Sequence, residues 1–118
     1  MNVLSLNCRG LTGPRKRSAI QRVIELDLPD VVLLQETLGV GDVIKSSLES
    51  WFPRWCFESL DVHGRYWRLA IGWHSGRVSV LNIWGLVSVM GMTIKALGLV
   101  DPITVVNVYG PYLNRIPL

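Results

Sequence analysis

Cysteine and histidine are both scarce in this chain, two of each. Cys8 and Cys56 lie too far apart for a zinc knuckle and are too few for a stapled scaffold. Two reduced thiols are the expectation, with a single disulfide as the alternative. Charge is also thin, at 18% of residues, against about 25% in an average domain. No repeat, low-complexity tract or Pro/Gly/Ser linker interrupts the sequence, so one domain over 1–118 is expected. No basic n-region follows Met1, which argues against a signal peptide and for an intracellular setting.

What the chain has in surplus is apolar side chains: 49% hydrophobic, with mean hydropathy +0.32. Such a surplus fits part of a larger sandwich or a membrane-associated protein. The membrane candidate is the charge-free run from Val78 to Ile94, at the lower limit for a spanning helix. Ser79, Asn82, Gly85, Ser88 and Gly91, with many β-branched neighbours, instead predict two strands around a turn at Gly85, and no membrane span. The formal charge is +3. Arg9, Arg15, Lys16, Arg17 and Arg22 crowd together with no acid among them. That patch suits phosphate backbones, where Lys and Arg release counterions; the alternative is a solvated basic helix face.

Asn2 to Asn7 reads as a short strand, and Gly10, Gly13 and Pro14 turn the chain into a helix. Ile20, Val23, Ile24 and Leu28 form its apolar stripe. Its basic residues come early and its acids, Glu25 and Asp27, late, which opposes the helix dipole. Pro29 ends it. Val31 to Leu34 is an unbroken apolar run, as in a strand covered on both faces. Val40, Val43, Ile44 and Leu48 give a second helical stripe that stops near Pro53. Strands are then expected at 54–58, 67–74, 78–84, 87–95 and 103–109. This order predicts an α/β fold, a mixed sheet with two helices packed against it.

Asn7 and Glu36 end two strands joined by one helix, and a right-handed crossover brings both to the same rim, where ligands collect in α/β folds. A carboxylate and an amide are a plausible part-shell for Mg²⁺, which takes few protein ligands and keeps its waters. Each has a plainer reading. Glu36 is the polar start of a loop, Asn7 caps nearby backbone, and Tyr109 is an aromatic at the edge of the core.

Four segments change that balance together: Leu4 to Leu11 (Leu-Ser-Leu-Asn-Cys-Arg-Gly-Leu), Pro29 to Thr37 (Pro-Asp-Val-Val-Leu-Leu-Gln-Glu-Thr), Leu69 to Trp73 (Leu-Ala-Ile-Gly-Trp) and Asn107 to Pro111 (Asn-Val-Tyr-Gly-Pro). In this order and spacing the chain resembles the endonuclease/exonuclease/phosphatase superfamily. It is most similar to the apurinic-type endonuclease domain of plant LINE-type (non-LTR) retrotransposons. The resemblance implies about half of a four-layer α/β sandwich, with two helices on the outer face of a mixed sheet. It implies Glu36 as a metal ligand, Asn7 as support for metal and scissile phosphate, Tyr109 as a phosphate-holding hydroxyl, and Asn107 as the residue two before it. It also implies Mg²⁺ or Mn²⁺ as cofactor, DNA as partner through Arg9, Arg15, Lys16, Arg17 and Arg22, and a nuclear setting. Two departures stand out. Leu6 replaces the usual Trp, and Trp67-Arg68 replaces a Gly-Gly pair.

The family's later Gly-Asp-Phe-Asn and Ser-Asp-His segments have no counterpart in 1–118, and His63 and His74 match neither. A divalent-metal-dependent phosphodiester hydrolase domain that is inactive as this chain alone is therefore expected. An uncovered inner sheet face, prone to self-association, is expected with it. The alternatives are a non-catalytic nucleic-acid-binding or remnant protein, and a phosphatase of the same superfamily acting on small phosphate esters.

Overall fold

The computed structural model describes residues 1–11, 13–38, 41–61, 68–86 and 88–108. In chain order the elements are β1 (Val3–Asn7), α1 (Pro14–Asp27), β2 (Val31–Gln35), α2 (Gly41–Trp51), β3 (Trp55–Asp61), β4 (Arg68–His74), β5 (Val78–Leu86), β6 (Val89–Ala96) and β7 (Ile103–Val108). They form two sheets, a four-stranded one in the order β1-β2-β4-β3 and a three-stranded one in the order β5-β6-β7. Among the described residues only β1 and β2 run parallel, joined through α1; every other described pairing is antiparallel.

The unbroken apolar run of β2 explains its central place. Side chains alternate across a strand, and here both faces are covered. Val32 and Leu34 join the core shared with Ile20, Ile24, Ile44, Leu48 and Phe57. Val31 and Leu33 pack between the sheets with Leu69, Ile71, Met90, Met92 and Ile94. Fully burying one such side chain contributes roughly 1.5–3 kcal/mol. In β4, Gly72 sits opposite Phe57. A Cβ there would fall inside the Phe57 ring, so the phenyl group lies flat over the glycine.

α1 starts at Gly13, with φ +94°, and Pro14 in its first turn. It has no acid in its first turn and no base in its last, as the sequence indicated. Leu28 departs from its expected place in the apolar stripe. It is the left-handed C-cap, its N–H donates to the Ile24 carbonyl, and its side chain is 70% exposed. Val43 also leaves its stripe for solvent, while Ile44 and Leu48 are buried; Val40 lies outside the described residues. At the far end of the sheet, Asp30 accepts from the Asn2 N–H and from Arg77 Nε, which ties the start of β5 to β1 and β2.

Two expectations are corrected. The turn between β5 and β6 follows Leu86; Gly85 is itself a strand residue paired with Met90, where a Cβ would meet Leu60. No described helix is long and apolar enough to cross a membrane. The second correction concerns the inner sheet face, which this chain's own three-stranded sheet covers. The exposed apolar surface lies elsewhere. Met90, Met92 and Ile94 point inward, so Gly91 and its partners Trp84 and Val106 point outward. Trp84, Leu86 and Val106 are 36%, 67% and 42% exposed.

Candidate active-site cleft

β1, β2 and β7 end side by side, and a cleft of about 330 Å³ opens over their carboxyl ends. Its polar lining is Ser5, Asn7, Gln35, Glu36 and Asn107. Three of the four residues expected to carry chemistry, Asn7, Glu36 and Asn107, thus meet in one place. The fourth, Tyr109, lies outside the described residues.

Register accounts for the grouping. Asn7 is the direct partner of Gln35 in the parallel β1–β2 pair, as Ser5 is of Leu33. Paired residues project from the same face at a strand spacing of about 4.8 Å. Strict alternation would send Glu36 to the helix side. Its backbone instead takes φ +55°, and the side chain joins the cleft. A left-handed backbone costs a residue with a Cβ roughly 1–2 kcal/mol. Arg9, with φ +50°, makes the matching turn after β1. Two backbone bonds lock the turns together, Cys8 N–H to the Gln35 carbonyl at 2.8 Å and Gly10 N–H to the Glu36 carbonyl at 2.7 Å.

Asn107 is 1% exposed, and its amide lies under the cleft. Nδ2 donates to the Leu34 carbonyl at 3.0 Å and the Ala70 carbonyl at 2.9 Å, while Oδ1 accepts from Gln35 Nε2 at 2.8 Å. The residue therefore pins β7 to β2 and β4 from inside the sandwich. Nothing in the sequence marks Asn107 as this pin, because its partners lie far away in the chain. Gln35 and Ser5, joined by a 3.0 Å bond from Gln35 Nε2 to Ser5 Oγ, are cleft residues that stand in the Pro29 to Thr37 and Leu4 to Leu11 segments but were given no role from the sequence.

Asn7 fulfils its plainer reading without losing the other. Its Oδ1 accepts the Arg9 N–H at 3.2 Å, which leaves a lone pair on Oδ1 and both Nδ2 hydrogens for a ligand. The Glu36 carboxylate and Asn7 Oδ1 are hard oxygen donors and suit Mg²⁺ or Mn²⁺. Among the described residues, no group of three or more His, Cys, Asp or Glu gathers to hold a metal. A cation bound here would keep several waters, as Mg²⁺ ordinarily does. Burial pushes the nearby Cys8 thiol up to about 11, with the Lys16 ammonium working against the shift and Glu36 for it; it is not a nucleophile at neutral pH.

The basic patch does not form one surface. Arg15 and Arg22 are exposed seven positions apart, on the outer face of α1. Arg17 lies 5.9 Å from the Trp51 ring centroid, against α2. Lys16 lines a second groove with Asn7 and Cys8, and its ammonium donates to the Cys8 carbonyl. Only Arg9 and Lys16 thus flank Asn7 directly.

No family model matches the sequence, and no curated protein matches it. Solved structures do match. The human Nocturnin catalytic domain with bound sulfate anion superposes with a TM-score of 0.67 at 14% identity, over 90% of this chain and 48% of that one. An endonuclease/exonuclease/phosphatase family protein from Bacteroides thetaiotaomicron gives 0.70 at 10% identity, over 88% and 48%. D. rerio TDP2 complexed with single strand DNA product gives 0.66 at 17% identity, over 90% and 44%. The chain has the fold of these proteins and spans about half the length of each.

Proposed function

We propose that this chain belongs to the endonuclease/exonuclease/phosphatase superfamily and carries the cation-binding half of a phosphodiester-hydrolysing site that acts on DNA. The observation that carries the reading is the meeting of Asn7, Glu36 and Asn107 in one cleft beyond three strand ends, where α/β folds place their ligands. Support comes from two proteins of this fold, one holding a sulfate anion and the other a single-strand DNA product. The Asn-Cys-Arg-Gly-Leu and Asn-Val-Tyr-Gly-Pro segments favour a LINE-type retrotransposon endonuclease, acting in the nucleus, over a phosphatase of small esters.

The Glu36 carboxylate and Asn7 Oδ1 would hold a divalent ion in this cleft, which would supply Lewis-acid polarisation of the phosphoryl oxygen and of the leaving oxygen. Asn7 Nδ2 is placed to donate to a phosphate oxygen, Asn107 sets the floor under Glu36, and Arg9 and Lys16 attract the nucleic-acid backbone. The described lining of the cleft includes neither Asp nor His, and its one carboxylate, Glu36, is taken up by the ion in this reading. Residues 1–118 alone are accordingly expected to bind ion and DNA without turnover.

Mn²⁺ binding by electron paramagnetic resonance, paired with nicking of supercoiled plasmid, tests this. The expected result is Mn²⁺ binding lost in Glu36→Ala, with no nicking. A chain that binds no Mn²⁺ overturns the reading. Metal-dependent nicking removed by Glu36→Ala keeps the site and overturns the inactivity. DNA binding that persists in EDTA with steep salt dependence, indifferent to Glu36→Ala, would point instead to a binding module resting on Arg9 and Lys16.

A further inference from the structure

The orientation of the Asn107 amide is dictated by its surroundings. Two of its three partners are the backbone carbonyls of Leu34 and Ala70, which can only accept, so the Nδ2 end must face them. Oδ1 then faces Gln35 and requires a donor, which fixes the end of Gln35 that approaches it as Nε2. The same Nε2 also reaches Ser5 Oγ at 3.0 Å and the Leu33 carbonyl at 3.3 Å. All of Gln35's side-chain hydrogen bonds among the described residues run through Nε2. Its Oε1 has none, and it is not among the buried atoms left without a partner. Gln35 is partly exposed and lines the cleft, and it stands directly across from Asn7 in the strand register.

From this we infer that Gln35 supplies its Oε1 as a third oxygen of the cation site, alongside the Glu36 carboxylate and Asn7 Oδ1. The inference rests on the reading of the cleft as a cation site. The buried Asn107 amide acts as the switch that sets it. If the carbonyls of Leu34 and Ala70 did not fix Nδ2, Gln35 could turn its NH₂ into the cleft and repel a cation. A neutral amide oxygen adds coordination without charge, either to the ion directly or to one of its waters. A site with a single carboxylate has room for such a ligand.

The measurement is a Mg²⁺ titration of the unsubstituted chain carrying ¹³C-labelled glutamine, followed at the Gln35 Cδ resonance, beside Mn²⁺ affinities of wild type, Gln35→Met and Glu36→Gln. The expected result is a saturable Cδ shift at the same midpoint as the Mn²⁺ affinity predicts. Gln35→Met, folded by circular dichroism, should bind Mn²⁺ roughly 10-fold more weakly, the usual scale for a supporting group. An unmoved Cδ resonance while wild type binds and Glu36→Gln does not would overturn the role of Gln35 and leave the cleft reading intact. No binding by wild type would overturn both. If Gln35→Met fails to fold, the Cδ titration decides alone.

Discussion

Asn107→Asp is the most discriminating single substitution, because it changes one NH₂ to one oxygen and nothing in size. In the wild type, Nδ2 is 3.0 Å from the Leu34 carbonyl and 2.9 Å from the Ala70 carbonyl, in a side chain 1% exposed. Truncation to alanine loses three hydrogen bonds at about 1 kcal/mol each and leaves Gln35 Nε2 short of one acceptor, for a total near 3 kcal/mol. Aspartate is worse at pH 7. Its carboxylate faces two carbonyl oxygens, with no cationic side chain among the described partners of this position, and a buried uncompensated charge costs about 3–5 kcal/mol. For a chain of this length about 1 kcal/mol moves the midpoint by roughly 4 °C. Asn107→Ala should thus fall about 12 °C and Asn107→Asp about 12–20 °C. Desolvation and the facing carbonyls raise the folded-state pKa of the new carboxyl above its unfolded value. The sign follows: the variant is relatively more stable below the unfolded pKa of about 4 and loses that stability as pH rises through the folded pKa. Thermal and urea unfolding followed by circular dichroism at pH 4 and pH 7 reads this directly. An Asn107→Asp variant as stable as wild type at pH 7, or milder than Asn107→Ala there, would refute the claim that this amide is a donor to two carbonyls.

Glu36→Gly should raise the unfolding midpoint by about 4 °C, since relieving a left-handed backbone returns roughly 1 kcal/mol, while abolishing Mn²⁺ binding; a lower midpoint would contradict the strain. Arg9→Ala should weaken DNA binding and reduce the salt slope by about 1, whereas Arg17→Ala, whose guanidinium lies over the Trp51 ring on the α2 side and not beside Asn7, should leave the slope unchanged in the same fluorescence-anisotropy series. Burial works against ionisation of Asp30, but the Asn2 N–H and the Arg77 guanidinium outweigh it and hold the carboxyl below its usual range. Its contribution is therefore present above the unfolded pKa of about 4 and lost as pH falls through the folded value, so Asp30→Asn should flatten the acid limb of the urea midpoint; an unchanged limb counts against the latch. The wild type is predicted to self-associate through Trp84 and Leu86, both exposed on the outer sheet face, and Trp84→Ser combined with Leu86→Thr to lower the mass seen by light scattering; a monomeric wild type would refute this.

Much of the fold was legible because local signals agreed with tertiary demands. The run Val31 to Leu34 announced a strand covered twice, and both cores use it. The helix starts and stops were marked by Pro14, Pro29 and Pro53. Less legible were features set by distant partners. Gly85 read as a turn because glycine ordinarily marks one; here it stays in β5 to make room for Leu60. Leu28 read as core by spacing, yet the helix had already ended at Asp27. The division of seven strands into two sheets was hidden, since β4 pairs with β2 as well as with its hairpin neighbour β3. That division covers the inner face expected to lie bare. Asn7 and Glu36 could be placed on one rim from handedness alone. The pin at Asn107 and the roles of Ser5 and Gln35 depend on the closure of one sheet over the other.

The cleft divides its energetics between two levels. Above, Arg9 and Glu36 both hold left-handed backbone, at about 1–2 kcal/mol each. Below, the Asn107 amide and Gln35 close a buried network among β2, β4 and β7, where each bond contributes about 1 kcal/mol and an unmet partner costs more. The two sums are comparable, so the network is strong enough to hold the strained turn that aims Glu36 into the cleft. The same network decides which end of Gln35 faces a ligand. Stability and chemistry at this site therefore stand on one amide, and a substitution that frees it should disturb the fold and the cation site together.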